Sequence, residues 1–258
     1  MVSRDELIDF VHSTIGVDLL SIASRKDELA NGVQIRGGNE VSVVALGVSL
    51  NEEFLKQAVA IGSNFSIFHH GFDVRTDHSR YSVSSQKRLG LIFQNNMTVA
   101  GCHYSLDAHP VIGNNAVIIQ QMGGKIINSL FDDWGFVARF PRKRRVSDIF
   151  KQCQLLFGTN ILSFRSKTGE IDTFGVVSGA GKPYQAEIEE MVEKGVQLFI
   201  SGETSESVPH RMVESEIYYI VCGHYATEMF GVKALGEEIK REFGERVGIE
   251  FIDIPNPV

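Results

Sequence analysis

Short apolar runs alternate with amphipathic stretches along most of the chain. Short, mostly apolar runs are typical of buried strands, and they occur at 41–48, 65–68, 97–102, 174–178, 196–200, 217–222 and 249–254. Apolar residues at helical spacing are typical of helices that pack on a core, and they occur at 84–95, 114–122, 186–194, 208–215 and 227–243. Strands that alternate with helices predict an α/β fold.

Two further helices are predicted from their capping residues. Ser3 is followed three residues later by Glu6, which is the capping-box spacing, and a helix through Val11 should follow. Asn51 is a favoured N-cap residue and predicts a helix through Val59.

The segment from residue 121 to residue 145 differs in composition from its surroundings. It contains Gly123-Gly124 and the run Pro141–Arg145, which are typical of a connection between domains. We therefore predict two subdomains, residues 1–125 and 126–258, with the C-terminal helix and strand as candidates for packing back on the first. Both halves show strand–helix–strand order with polar residues at strand ends, which hints at a duplication.

Two segments contain residues that suit an anion. The basic cluster Arg139–Arg145 could bind nucleic acid or a phosphorylated substrate, but a charge run is usually solvated, and we interpret it as a solvated loop. The turn Ser178–Lys182 joins a strand to a helix, where backbone N–H groups can hold an anion. Pro183 stands where a phosphate-binding loop has Ser or Thr, so we interpret this segment as a structural turn.

Composition narrows the class of protein. The formal net charge of −7 disfavours a general nucleic-acid binder, which is usually basic overall. Cys102, Cys153 and Cys222 are well separated and form no C-x-x-C pair, so they predict neither a disulfide framework nor a cysteine-based zinc site. The chain shows no signal-peptide core and no apolar run near the ~18 residues of a membrane span. We therefore expect a cytoplasmic protein that does not enter a membrane.

Two adjacent histidines, His69 and His70, follow the apolar run Phe65–Phe68, and Gly71 comes next. Within a strand the two side chains would point to opposite faces, but at a strand end before glycine both rings can converge. Strand ends are where open α/β sheets place their chemistry, and neutral imidazole is the commonest protein metal ligand. The pair therefore predicts a metal site.

The strands predicted at 97–102 and 217–222 also end in residues of metal-ligand type. After the second strand, two of them are four residues apart, close enough to face one site where a helix begins. The residues concerned are His103, Asp107 and His109 after the first strand, and His224 and Glu228 after the second.

The size and chemistry of this set favour two metal ions. A structural zinc site needs four ligands, whereas a larger set of imidazoles and carboxylates suits two ions that share a bridging carboxylate. Nitrogen and oxygen ligands suit zinc, iron, manganese or nickel. The predicted ligands are His69, His70, Asp107, His224 and Glu228.

A combination of motifs resembles a known family over nearly the whole chain. The motifs are NGVQIRG at 31–37, FHHG at 68–71, HYSLDAHP with GNNA at 103–116, SGETSESVPH at 201–210, GHYATE with FGVKAL at 223–235, and FIDIPNP at 251–257. They are similar to those of the NIF-three-like family, whose members are also called GTP cyclohydrolase type-two homologues. Many relatives have Pro at the position of Gly71 and Thr-Asn at Tyr104-Ser105, so substrate contacts can differ.

The resemblance implies a fold, an assembly and a metal centre. The expected fold has two similar α/β (α+β) subdomains with mixed β-sheets flanked by helices, and a dinuclear metal site in the cleft between them. The expected assembly is a toroidal homohexamer. By motif match, the family's ligands fall on the five residues already selected.

These expectations predict a metal-dependent hydrolase of the GTP cyclohydrolase type-two homologue class, acting on a small molecule by ring opening or by phosphoester or amide hydrolysis. His103 and Glu203 are the candidates for proton transfer. His103 could instead be a ligand or orient one, and Glu203, with His210 seven residues on, could instead cap a helix. The alternative function is a non-catalytic, ring-shaped metal-binding protein that regulates or binds a partner.

Overall fold

The computed structural model describes residues 1–73, 75, 78–164 and 169–257. The chain forms two compact units, the first from residues 1–109 and 231–254 and the second from residues 110–230 and 255–258. Each unit has one main mixed sheet with helices packed against it. The predicted α/β fold with two mixed sheets flanked by helices is therefore confirmed.

The first unit contains the helix pair α1 and α2 near its start and ends with a strand from the C-terminal region. Its helices are α1 (Arg4–Ile15), α2 (Val17–Lys26), α3 (Glu52–Ala60), α4 (Val83–Gln94) and α5 (Tyr104–Asp107). Its strands are β1 (Val2–Ser3), β2 (Asn31–Ile35), β3 (Glu40–Val41), β4 (Val43–Ser49), β5 (Phe65–His70), β6 (Thr98–Cys102) and β13 (Gly248–Phe251).

Two predicted caps are confirmed in this unit. The Ser3 hydroxyl oxygen accepts a hydrogen bond from the Glu6 amide at 3.1 Å, and Asn51 Oδ1 accepts one from the Phe54 amide at 2.8 Å. Each cap satisfies an amide that the first helical turn leaves without a partner.

The main sheet of the first unit has the strand order β13-β4-β5-β6-β2, with a separate antiparallel pair β1-β3. Strands β13, β4, β5 and β6 are parallel, and β2 is antiparallel to β6. Parallel strands are covered on both faces and therefore read as nearly continuous apolar runs. All five residues from Phe65 to His69 are buried, so β5 carries its first histidine into the interior.

The second unit contains the strands and helices between the two ends of the first. Its strands are β7 (Lys125–Leu130), β8 (Gly135–Arg145), β9 (Leu162–Phe164), β10 (Glu170–Val177), β11 (Leu198–Ser201) and β12 (Tyr218–Val221). Its helices are α6 (Asn114–Met122), α7 (Val146–Phe157), α8 (Gln185–Glu193) and α9 (Val208–Glu214). The last helix, α10 (His224–Phe243), belongs to the second unit up to Phe230 and to the first from Gly231, and the 3₁₀ turn Gly244–Arg246 follows it.

The sheet of the second unit has the order β7-β8-β10-β11-β12-β9. Strands β10, β11 and β12 are parallel, and β8 and β9 are antiparallel to their neighbours β10 and β12. One apolar cluster, which includes α6 and α7, covers one face, and another, which includes α8 and α9, covers the other. Helix α6 lies in the sequence before residue 125, yet its buried residues belong to this second core.

The interpretation of Arg139–Arg145 as a loop is wrong, because these residues form the second half of β8, although most of them are exposed to solvent as expected. Phe136, Ala138 and Phe140 alternate into the core, and β8 pairs with strands on both sides. Arg144 donates a hydrogen bond to the Met122 carbonyl at 2.7 Å. The alternation of apolar residues before the basic run outweighs its charge in setting the local structure.

Within the described ranges, no individual helix has both the length and the apolar composition that a membrane crossing requires, although α1 and α2, bent by 81°, pass on these two criteria as a pair.

Candidate metal centre

His69 and His70 end β5 with their rings side by side. The ring centroids lie 4.7 Å apart, which confirms that both rings converge at the strand end. A Cβ added at Gly71 would overlap the Gln34 side chain and lie 3.0 Å from the Gly101 Cα. Glycine at residue 71 is therefore what lets the chain turn away so closely behind the pair.

Each ring of this pair has its Nδ1 atom held by an oxygen of the protein. His69 Nδ1 lies 3.0 Å from the Cys102 carbonyl oxygen, and His70 Nδ1 lies 3.0 Å from the Ser49 hydroxyl. A carbonyl oxygen only accepts, so His69 must donate from Nδ1, and neutral His69 has its lone pair on Nε2. Holding one nitrogen of a metal-ligating imidazole in this way fixes the ring and its tautomer.

Asp107 lies on α5 and faces His69. Its Oδ2 atom is 3.6 Å from His69 Nε2, and both side chains are almost fully buried. The amides that begin α5 are anchored by side chains of the preceding loop and β2. The Tyr104 amide donates to Asp27 at 3.0 Å, and the Ser105 amide donates to Asn31 at 2.8 Å.

His103 joins the same group of rings. Its ring centroid lies 4.9 Å from that of His69 and 5.3 Å from that of His70, and one nitrogen from each of the three rings lies within 4.8 Å of the others. His103 Nδ1 is 2.8 Å from Asp27 Oδ2. Burial raises the pKa of Asp27, but the hydrogen bond from His103 and further donors outweigh it and hold this pKa far below its usual range.

In the second unit, His224 and Glu228 lie one turn apart on α10. Glu228 Oε2 is 3.0 Å from His224 Nε2, and Glu228 is almost completely buried. The other ring nitrogen, His224 Nδ1, is 2.6 Å from Glu203 Oε1, while Glu203 Oε2 is 3.3 Å from Lys182 Nζ. Glu203 therefore connects His224 to Lys182.

The charges of this group shift the pKa values of its members. Burial lowers the pKa of His224, but the carboxylates of Glu228 and Glu203 outweigh it and raise this pKa to about 9. The hydrogen bond from His224 lowers the pKa of Glu203, although burial acts in the opposite direction. A metal ion at His224 would take the place of the proton, because it needs the neutral imidazole.

The turn Ser178–Lys182 shapes the surroundings of Glu228. Gly179 has φ +57°, and a Cβ added there would overlap Glu228 Oε1 and lie 3.2 Å from His224 Nε2. The Gly179 amide donates to the Thr227 hydroxyl at 2.9 Å. The glycine therefore makes room for a buried carboxylate, a role that its place in a strand-to-helix turn did not reveal.

The donor atoms of both units suit a divalent metal ion. Nitrogen and oxygen ligands lie about 2.1 Å from zinc, so two ligands of one ion lie roughly 3.0–3.4 Å apart. The observed separations, 3.6 Å for His69 and Asp107 and 3.0 Å for His224 and Glu228, are close to this range. The chemistry of the residues thus fits a metal ion in each unit's ligand set.

Known proteins share the sequence pattern and the fold of this chain. Residues 4–257 match the family model of Duf34/NIF3 (NGG1p interacting factor 3). The chain belongs to the Duf34/NIF3 family. It is 31% identical over 245 residues to a GTP cyclohydrolase 1 type 2 homolog of Archaeoglobus fulgidus, covering 92% of this chain and 94% of that protein.

Two solved structures extend the comparison of this NIF3 family member. Protein ybgI, described as of unknown function, has a TM-score of 0.86 and 26% identity over the full length of both chains. TTHA1606 from Thermus thermophilus has a TM-score of 0.83 and 28% identity, also over the full length of both.

A cavity of about 910 Å³ lies in the first unit, beside the histidine pair. His70, Gly71 and Phe72 line it on one side, and residues of α1, α2 and β2 line it on the others. Its volume falls within the range of small-molecule sites. The Phe72 backbone at its wall is fixed by Gln34, which accepts from the Phe72 amide at 2.7 Å and donates to the Phe72 carbonyl at 2.6 Å.

Several residues of the centre were not selected from the sequence of this NIF3 chain. They are Asp27, Asn31, Ser49 and Lys182, all of which contact a candidate ligand or its helix, or the carboxylate that holds one. No local spacing links them to the ligands, since their role depends on strand pairing. His210 and His109, by contrast, were considered from the sequence. His210 is exposed on α9, and His109 Nε2 lies 3.2 Å from the Thr14 carbonyl oxygen.

Proposed function

We propose that this protein is a metal-dependent hydrolase that binds two divalent metal ions through His69, His70, Asp107, His224 and Glu228. The observation that carries the proposal is that each unit pairs an imidazole Nε2 with a buried carboxylate oxygen, at 3.6 Å in the first and 3.0 Å in the second. Buried carboxylates that face imidazole nitrogens whose other ring atom is already held are typical of metal sites.

The residues have separable tasks in this proposal. Bound divalent ions supply a Lewis acid and lower the pKa of water at the site. Asp107 and Glu228 supply negative charge to balance the ions, and the oxygens at each Nδ1 keep the imidazoles pointing inward. Proton transfer by His103 and Glu203 remains a prediction, and the hydrolase proposal stands without it.

We infer the reaction class from the family and the cavity together. Relatives named GTP cyclohydrolase 1 type 2 homolog support hydrolysis that opens a ring, and phosphoester or amide hydrolysis needs the same chemistry at the metals. The cavity beside His70, about 910 Å³, would hold a small-molecule substrate with its reacting group next to the ligand set.

The test begins with metal content and then measures turnover. Purified protein is stripped with a chelator, reloaded with zinc, iron, manganese or nickel, and offered nucleotides, phosphoesters and cyclic amides. We expect two ions per chain and a turnover that Asp107→Asn and Glu228→Gln each reduce at least about a hundredfold. Metal binding without turnover of any substrate would instead support the non-catalytic regulatory or partner-binding role.

The cellular setting and assembly form part of the proposal. We propose a cytoplasmic location, a reducing compartment that suits three buried free cysteines. We also propose a homohexameric ring, as the family resemblance implies. Light scattering on the purified protein at several concentrations measures the number of chains directly.

A further inference from the structure

The two units repeat one strand arrangement around their ligand-type residues. In the first unit β4, β5 and β6 are successive parallel strands, and the earlier strand β2 pairs antiparallel with the last of them. In the second unit β10, β11 and β12 are successive parallel strands, and the earlier strand β9 pairs antiparallel with the last. The third parallel strand of each unit therefore occupies an equivalent position.

The chain leaves that third strand with a similar sequence in both units. After β6 it reads His-Tyr-Ser-Leu-Asp, from His103 to Asp107, and after β12 it reads His-Tyr-Ala-Thr-Glu, from His224 to Glu228. In both cases a histidine is followed by tyrosine, and a buried carboxylate comes four residues after the histidine. By position, His103 corresponds to His224.

The hydrogen bonds of the two histidines correspond as well. His103 Nδ1 lies 2.8 Å from a carboxylate oxygen of Asp27, and His224 Nδ1 lies 2.6 Å from a carboxylate oxygen of Glu203. A carboxylate at Nδ1 accepts a hydrogen bond from the Nδ1–H group and leaves Nε2 as the coordinating atom, as in carboxylate–histidine–zinc sites. Nothing in the motif spacing requires this agreement, because Asp27 precedes its histidine by 76 residues and Glu203 precedes its own by 21.

Asp27 is built into the first unit as a fixed acceptor. Its side chain is only 5% exposed, and its Oδ2 atom also accepts from the Tyr104 amide at 3.0 Å and from Asn31 Nδ2 at 2.8 Å. Its other oxygen accepts from the Leu29 amide at 2.9 Å. One carboxylate therefore sets the orientation of His103 and the start of the helix that carries Asp107.

We infer that His103 binds a metal ion through Nε2 together with His69 and His70, and that Asp27 is the residue that positions it, as Glu203 positions His224. The three rings offer nitrogens within 4.8 Å of one another, and three imidazoles with an open position are a known ligand set of catalytic zinc. The inference rests on the metal centre of the proposed function and gives His103 the role of a ligand in place of proton transfer.

The test counts ligating histidines in the cobalt-loaded, full-length protein. Each histidine bound to Co²⁺ through Nε2 gives a strongly shifted proton resonance from its Nδ1–H group. We expect His103→Gln to remove one such signal and to weaken Co²⁺ binding at least about tenfold. His109→Gln is the matched control, because His109 follows the same short helix α5 and its Nε2 lies 3.2 Å from the Thr14 carbonyl oxygen, and it should keep every signal.

Asp27 is tested by a series of variants. Asp27→Ala removes the acceptor and should weaken Co²⁺ binding about 10–100-fold, whereas Asp27→Asn can keep an oxygen toward His103 and should recover most of it. In the metal-free protein, nitrogen NMR should show the proton of the neutral His103 ring on Nδ1 in the wild type. In Asp27→Ala, this proton should be shared between Nδ1 and Nε2 as a mixture of the two tautomers.

The outcomes separate this inference from the proposed function. An unchanged signal count and affinity in His103→Gln would overturn the ligand assignment while the metal centre stands. A wild-type protein that binds Co²⁺ but hydrolyses nothing would defeat the hydrolase proposal and leave the histidine count intact. If the wild type bound no Co²⁺ at all, both would fail.

Discussion

Glu228 Oε2 lies 3.0 Å from His224 Nε2, one turn away on α10, and the Glu228 side chain is almost completely buried. A buried carboxylate is costly unless a cation or hydrogen-bond donor compensates it. In the metal-free protein the His224 imidazolium does so, and a metal ion is the alternative partner. The pair is therefore where metal binding and protonation compete.

Glu228→Gln tests that competition. The amide keeps the size of the side chain but removes its charge, so we expect metal binding to weaken at least about tenfold. Calorimetric titration with Zn²⁺ measures the change. Glu237→Gln, an exposed site on the same helix, should leave the affinity unchanged, and an equal loss in both variants would count against the assignment of Glu228.

Gly179→Ala should displace Glu228 without touching the ligand itself. The left-handed backbone at Gly179, φ +57°, costs an alanine roughly 1–2 kcal/mol, and the new Cβ would overlap the Glu228 carboxylate. We expect lower stability and loss of metal affinity. Gly195→Ala is the matched control, since its φ is +68° and no atom lies within 4 Å of its added Cβ; it should lose stability alone.

The raised pKa of His224 predicts how the stability of the metal-free protein depends on pH. Its folded-state pKa of about 9 lies above its ordinary value of 6.5, so the folded state binds the proton more tightly than the unfolded chain. The stabilisation is full below about pH 6.5 and is lost as pH rises through about 9. Thermal unfolding in chelator should show this decline, and His224→Gln should flatten it. A decline of equal size in that variant would assign the effect to another group.

Gln34→Ala should loosen the segment that follows the histidine pair. Gln34 makes two hydrogen bonds to the Phe72 backbone, each worth about 1 kcal/mol net, and no other element supplies them among the described contacts. We expect faster hydrogen exchange at the Phe72 amide and a small loss of metal affinity at His70. Gln57→Ala, whose side chain bonds to Glu53 on the surface of α3, should change neither. Unchanged exchange at Phe72 would show that the cavity wall holds without Gln34.

Much of the fold could be predicted because its signals are local. The apolar run ending in His69 and the cap at Asn51 depend on neighbours in sequence, and both were placed correctly. Helix α2 was missed because Ala23 is its only fully buried residue, which leaves little apolar pattern to detect. Strand β8 was missed because its basic half obscured the alternation of its apolar half.

The candidate ligands were predictable for a similar reason, and their partners were not. His224 and Glu228 could be predicted from their spacing on one helix. Asp27 reaches His103 only because β2 pairs with β6 and brings the preceding loop to the end of that strand. A residue that acts through a tertiary contact cannot be identified from local spacing, and it is the fold that brings Asp27 beside His103.

The order of the two units along the chain decides which unit can be completed first during synthesis. The second unit is formed by one nearly continuous stretch, residues 110–230, whereas the first needs residues 231–254 to finish it. Strand β13 pairs with β4 across about two hundred residues, with Gly248 opposite Val43. Because domains fold as the ribosome releases them, the edge of β4 stays open on the nascent chain until residues 248–251 have been made.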